Sequence, residues 1–81
     1  MEIGRHIASK GNYQVIIRIG PSQFYRFYNR GPAEIEISVN NGAGLYGVKQ
    51  GQSCDHEGTE FGVRVLGSDS YENAVLEFER P

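Results

Sequence analysis

"QFYRFYNR", residues Gln23–Arg30, sets four aromatic rings and two arginines into eight consecutive positions. Side chains of a β-strand alternate between its two faces, so a strand here sends Tyr25 and Phe27 one way and Phe24, Arg26, Tyr28 and Arg30 the other. A half-buried strand needs only one apolar face. This stretch has aromatic groups on both, and what occupies the second face governs both the architecture and the candidate site.

The flanking sequence supports the strand reading. "AEIEISV" (33–39) alternates Ile35, Ile37 and Val39 against Glu34, Glu36 and Ser38. "YQVIIRIG" (13–20) turns Val15, Ile17 and Ile19 inward, with Ile16 as the exception on its outer side. "TEFGVRV" (59–65) points Phe61, Val63 and Val65 inward and Glu60 and Arg64 outward. "NAVLEFE" (73–79) does the same with Ala74, Leu76 and Phe78 against Glu77 and Glu79. Residues 2–8, 44–50 and 52–57 form weaker strands. Helical periodicity is absent, and Gly or Asn-Gly breaks the apolar alternation every ~8–12 positions.

Turn chemistry agrees with this division. "NNGAG" (40–44) reverses the chain because Asn and Gly tolerate positive φ, and "GSDS" (67–70) and "VKQGQS" (48–53) supply further turns. About seven or eight short antiparallel strands in one chain make an all-β fold: a small two-layer antiparallel β-sandwich of jelly-roll type, with a small β-barrel as the alternative. The expected core is Val15, Ile17, Ile19, Tyr25, Phe27, Ile37, Val39, Leu45, Val48, Phe61, Val63, Val65, Leu76 and Phe78. Gly47 and Gly62, inside apparent strands, mark bulges or close backbone approach.

A hairpin through "GPA" (31–33) would pair the aromatic strand with its successor. With Arg30 opposite Glu34, Tyr28 meets Glu36, Phe27 meets Ile37, Arg26 meets Ser38 and Tyr25 meets Val39. Ile35 then faces Asn29. A slip of one residue would put Arg26 against Ile37, a charge aimed at the core. In this register Phe24, Arg26, Tyr28 and Arg30 form an outer stripe with three readings. Phe24 and Tyr28 could lie under the N-terminal segment, against Ile3 and Ile7. The stripe could be a self-association interface, rich in the Tyr, Phe and Arg that favour such interfaces. It could also be a platform for a sugar, base or peptide.

Composition narrows the function. At 81 residues the chain is a single domain, 1–81, with a thin core for which association with a second copy is a common remedy. The net charge of −2 argues against general nucleic-acid binding. Cys54, the single cysteine, can form no intrachain disulfide, which points to a reducing cytoplasm. "MEIGRHIASKGNYQ" (1–14) contains no apolar run of signal-peptide length, and no segment is expected to cross a membrane.

"SCDHEG" (53–58) gathers a thiol, an imidazole and carboxylates. On a strand Cys54 and His56 share one side, and His6 is the one further histidine, a weak candidate metal set because zinc takes three or four ligands at defined spacing. Cys54 and His56 side by side are poorly placed for proton transfer as a nucleophilic pair. Glu34 with Glu36, and Glu77 with Glu79, are same-face neighbours on an open sheet and read as solvated surface rather than a glycosidase pair. The glycines of "NNGAGLYG" (40–47) lack the helix and Lys-Ser/Thr of a phosphate loop.

These residues lead to a non-catalytic binding or assembly module that needs no cofactor and self-associates, as a homodimer or larger, through Phe24, Arg26, Tyr28 and Arg30. The alternative is a lectin-like carbohydrate or single-strand nucleic-acid module on the same stripe. A metal- or cysteine-dependent enzyme built on Cys54 and His56 comes last.

Overall fold

The computed structural model describes residues 3–80, the side chain of Ile3 excepted. It is all-β. The strands are β1 (Ile3–Ser9), β2 (Gln14–Pro32), β3 (Ile35–Val39), β4 (Gly44–Val48), β5 (Ser53–Val65) and β6 (Asn73–Glu79). They form one antiparallel sheet in the order β1-β6-β2-β5-β3-β4. Fewer strands are present than the turn spacing suggests because two pairs of predicted strands are continuous. "YQVIIRIG" and "QFYRFYNR" join through Gly20-Pro21-Ser22, and the strands on either side of Gly58 join into β5.

The long strands fold the sheet on itself. Between Arg18 and Gln23 of β2, four residues stand where β5 advances only from Glu60 to Gly58. A shift of this size bends both strands sharply. The bend is visible in the core. Phe27 stands opposite Cys54, seven residues from Phe61 along β5, a separation of about 23 Å in a straight strand. Yet the Phe27 and Phe61 rings lie 5.2 Å apart. The folded sheet thus has one leaf of β1, β6, the second half of β2 and the first half of β5. The other leaf holds the first half of β2, the second half of β5, β3 and β4.

Between the leaves lies one cluster containing Phe27, Phe61, Ile35, Ile37, Leu76, Val63 and Val65, with Tyr25, Ile17, Val39 and Val48 at its margins. Each fully buried aliphatic or aromatic side chain contributes roughly 1.5–3 kcal/mol relative to exposure. The predicted inward residues of β3, β5 and β6 are found there, Ile35 and Ala74 included, except that Phe78 is only half-buried. Val15 and Leu45 are exposed instead. A bulge between Val15 and Ile17 shifts the alternation, putting Val15 opposite Gly62 on the outer surface. Leu45 lies three residues from the buried Val48, so strand alternation forces the two onto opposite faces.

The hairpin through "GPA" does not form. β2 pairs with β5 and β6, and β3 pairs with β4 and β5. The partners of the aromatic strand are therefore Tyr28 with Ser53 and Glu77, Phe27 with Cys54 and Phe78, Arg26 with Asp55 and Glu79, and Tyr25 with His56. Asn29 and Gly31 explain the difference. Asn29 is fully buried; its Nδ2 donates to Ala33 O at 2.9 Å and Val48 O at 2.8 Å, and its Oδ1 accepts from Gly31 N at 2.7 Å. Gly31 has φ +83°. Together they turn the chain out of β2 and carry it across to the other leaf, where β3 begins. The predicted faces survive because alternation along a strand does not depend on which strand lies beside it.

Turn residues are where the sequence places them: Asn40 and Asn41 at φ 53° and 55°, Gly42 at 94°, and Gly51 at 82°. Gly62 sits beside the β2 bulge, and a Cβ there would lie 3.4 Å from that of Tyr13.

Candidate interaction face

The outer surface of the first leaf brings all four stripe residues together. Phe24 is 55% exposed, Arg26 and Arg30 are exposed, and Tyr28 is half-buried. The N-terminal strand does not cover them: β1 lies beyond β6, and Ile7 is itself 63% exposed. The proposed packing on Ile3 falls outside the described side chains.

The neighbouring strands order this surface electrostatically. Arg26 grips Asp55 through Nε to Oδ1 at 2.9 Å and Nη2 to Oδ2 at 3.2 Å, with Glu79 opposite it on β6. Arg30 lies over the Tyr28 ring, 4.8 Å from its centroid, and donates from Nε to Glu77 Oε1 at 2.7 Å. The other oxygen of Glu77 accepts from Arg5 Nη2 at 2.8 Å. These contacts hold both acids below the usual carboxylate range: Asp55 chiefly through the Arg26 hydrogen bond, Glu77 through those from Arg5 and then Arg30. Exposed pairs of this kind contribute only about 0.2–1 kcal/mol each. Their main effect is orientation, since they fix long side chains flat on the sheet.

Arg26, Tyr28, Ser53, Glu77, Phe78 and Glu79 line a shallow depression of about 290 Å³ on this face. The acidic partners of Arg26 and Arg30 were not legible beforehand, because they come from β5 and β6 and depend on the strand order. A second cluster missed in the sequence lies on the outside of the other leaf. There the Tyr13 hydroxyl donates to Glu36, Arg64 donates to the same carboxylate at 3.0 Å, and the Arg64 guanidinium lies 4.4 Å from the Tyr13 ring centroid.

Cys54 and His56 share the inner side of β5, as alternation requires. His56 stacks on Tyr46 at 4.0 Å, with Phe27 at 6.3 Å. Its Nε2 is buried without a partner, as is that of His6. Burial lowers the His56 pKa, only partly offset by Asp55, and burial pushes the Cys54 thiol up to about 11. Among the described residues no three His, Cys, Asp or Glu side chains converge as a metal site would require. Among the same residues no helix is long and apolar enough to cross a membrane. Comparison with protein families, characterised proteins and solved structures finds no match to this chain.

Proposed function

We propose that the protein is a non-catalytic assembly module that self-associates through the face carrying Phe24, Arg26, Tyr28 and Arg30. The observation that carries this reading is the uncovered Phe24 beside arginines already neutralised by neighbouring strands. On the first leaf's outer face Arg5, Arg26 and Arg30 stand among Asp55, Glu57, Glu77 and Glu79. A polyanion would have to displace those carboxylates and meet their residual negative charge. A second copy finds alternating charges complementary to its own and an aromatic ring to bury, and the ordering of the side chains is already done.

A reducing cytoplasm suits the lone, half-buried Cys54, whose thiol burial keeps protonated. Size exclusion with light scattering tests the central reading. A dimer mass is expected, reverting to monomer in Phe24→Asp and Tyr28→Asp with the circular dichroism spectrum preserved. A wild-type monomer at hundreds of micromolar, or a dimer that survives both substitutions, overturns it. The depression beside Tyr28, walled by Ser53, Glu77 and Glu79, favours a second reading as a sugar subsite. Titration with simple hexoses that shifts the Tyr28 ring resonances would support that reading in place of self-association.

A further inference from the structure

β2 is paired unevenly. From Arg26 to Tyr28 it lies between β5 and β6 and from there to Pro32 it pairs with β6, but from Gln14 to Arg18 it pairs with β5 alone. β1 likewise pairs only with β6. The two unpaired edges leave the Lys10–Tyr13 turn together, and the Ser9 N–H donates to the Gln14 side-chain carbonyl at 3.2 Å where they are closest. Farther along they enclose a cleft of about 550 Å³ lined by Gly4, Ile16, Ile17, Arg18, Ile19, Tyr25 and Phe78. Its walls are continuous with the core: Ile16, Ile19 and Phe78 are half-buried and pack against it. The bulge that exposes Val15 leaves Ile16 among the residues lining this space.

We propose that this seam is a binding site for an extended polypeptide strand of a partner protein, one with an apolar side chain at every second residue. An open backbone edge demands hydrogen bonds, and the protection that "VIIRI" (15–19) carries is limited to the bulge between Val15 and Ile17 and the charge of Arg18. Five residues of edge span about 16 Å, room for a strand of four to six residues. Side chains at alternate positions of that strand reach the Ile16, Ile19, Tyr25 and Phe78 wall, while main-chain groups pair along β2, the strand-addition mode of peptide recognition. A folded second copy is a poor guest, because the strands it could offer, β1 and β4, are each bonded along one side to its own sheet and cannot enter the cleft as a free strand does. The site is independent of the Phe24–Arg30 face, which lies on the other side of the first leaf.

The probe is the synthetic peptide acetyl-Glu-Val-Thr-Val-Thr-Val-Glu-amide, titrated into isotope-labelled protein. The expected result is slowed amide exchange and shifted resonances at Ile16–Ile19, equal in wild type and Phe24→Asp, with at least tenfold weaker binding by the same peptide N-methylated at alternate residues. No response at Ile16–Ile19 up to millimolar peptide overturns the proposal. So does a response confined to the β4 edge, or equal binding by the N-methylated peptide, which would mean apolar contact without strand pairing. Loss of the dimer in Phe24→Asp with peptide binding intact separates this site from the assembly face.

Discussion

Asn29 offers the sharpest test of how this fold is held together. Its side chain satisfies three main-chain groups, the carbonyls of Ala33 and Val48 and the N–H of Gly31, and is fully buried while doing so. Asn29→Ala removes all three bonds from a dry interior. At about 1 kcal/mol net for each hydrogen bond, and more where the orphaned group stays unsolvated, the loss is about 3 kcal/mol. A domain of this size has only about 4–12 kcal/mol in total. With no tryptophan in the chain, urea unfolding is followed by tyrosine fluorescence and circular dichroism. For a denaturant slope near 1–1.5 kcal/mol/M the midpoint falls by about 2–3 M. Asn29→Asp is the discriminating variant. It keeps an acceptor for Gly31 but aims an oxygen at two carbonyl oxygens, so the folded state favours the protonated acid and raises its pKa. A raised folded pKa adds stability at low pH that is lost as pH rises, so the deficit relative to wild type shrinks between pH 7 and pH 5. A loss under about 0.5 kcal/mol in Asn29→Ala, or a pH-independent deficit in Asn29→Asp, refutes the three-bond account.

Other substitutions probe neighbouring steps of the argument. Gly58 is buried in β5, and an added Cβ would lie 2.8 Å from both Val39 Cγ1 and Asn40 Oδ1, the latter already accepting from Thr59 N; Gly58→Ala should cost roughly 1–3 kcal/mol in urea unfolding. Burial lowers the His56 pKa from its ordinary 6.5, so the unfolded chain takes the proton first and stability falls as pH drops below 6.5 towards the folded value. His56→Phe should flatten the pH 7 to 5 stability profile, and an unchanged profile would place the titrating group elsewhere. Glu36, Asp55, Asp69 and Glu77 are also lowered, but from 4.5 or 3.8, so their contributions are lost only in more acid solution. With its thiol pushed from 9.0 to about 11, Cys54 should react with a disulfide reagent at pH 8 about 100-fold more slowly in the native protein than in urea.

What the sequence discloses here follows from the range of each interaction. Alternation is local, so the inward set Tyr25, Phe27, Ile37, Val63 and Leu76 could be read without knowing any strand's partner. The parity of β4 was legible in principle, since Leu45 and Val48 cannot share a face; both were expected inside because both are apolar. The bulge at Ile16 left a trace in the apolar residue that broke the alternation of "YQVIIRIG". Pairing is non-local, and the register argument for the "GPA" hairpin weighed only side-chain compatibility between two adjacent segments. It took Asn29 as a mismatch opposite Ile35. A buried Asn is costly unless every polar atom is satisfied, and one placed just before Gly-Pro can be satisfied by a chain that turns away there.

The same division of range applies to the candidate face. Phe24, Arg26, Tyr28 and Arg30 could be assigned to one surface because they lie two residues apart on a single strand. Their charge state could not, because the acids come from Asp55 on β5 and Glu77 on β6, 29 and 47 residues further along the chain. That missing information changes which partner the stripe suits. Read alone, two arginines between aromatic rings suit a phosphate backbone or a base as well as a protein. Once Arg26 is clamped by Asp55, and Arg30 is shared between the Tyr28 ring and a carboxylate that also holds Arg5, each guanidinium charge already faces a carboxylate with which phosphate must compete. Unclamping them exposes acidic residues that repel it. The same clamps lower the entropic cost of burying the surface against another protein, because side chains that normally lose freedom at an interface are already fixed. A cross-strand pair worth little to stability thus supports the proposed second copy over nucleic acid as the partner of this face. In Asp55→Asn, which frees Arg26, the proposed dimer should weaken while salt-sensitive binding to single-stranded DNA rises; a dimer of unchanged affinity would show that the clamp has no part in the interface.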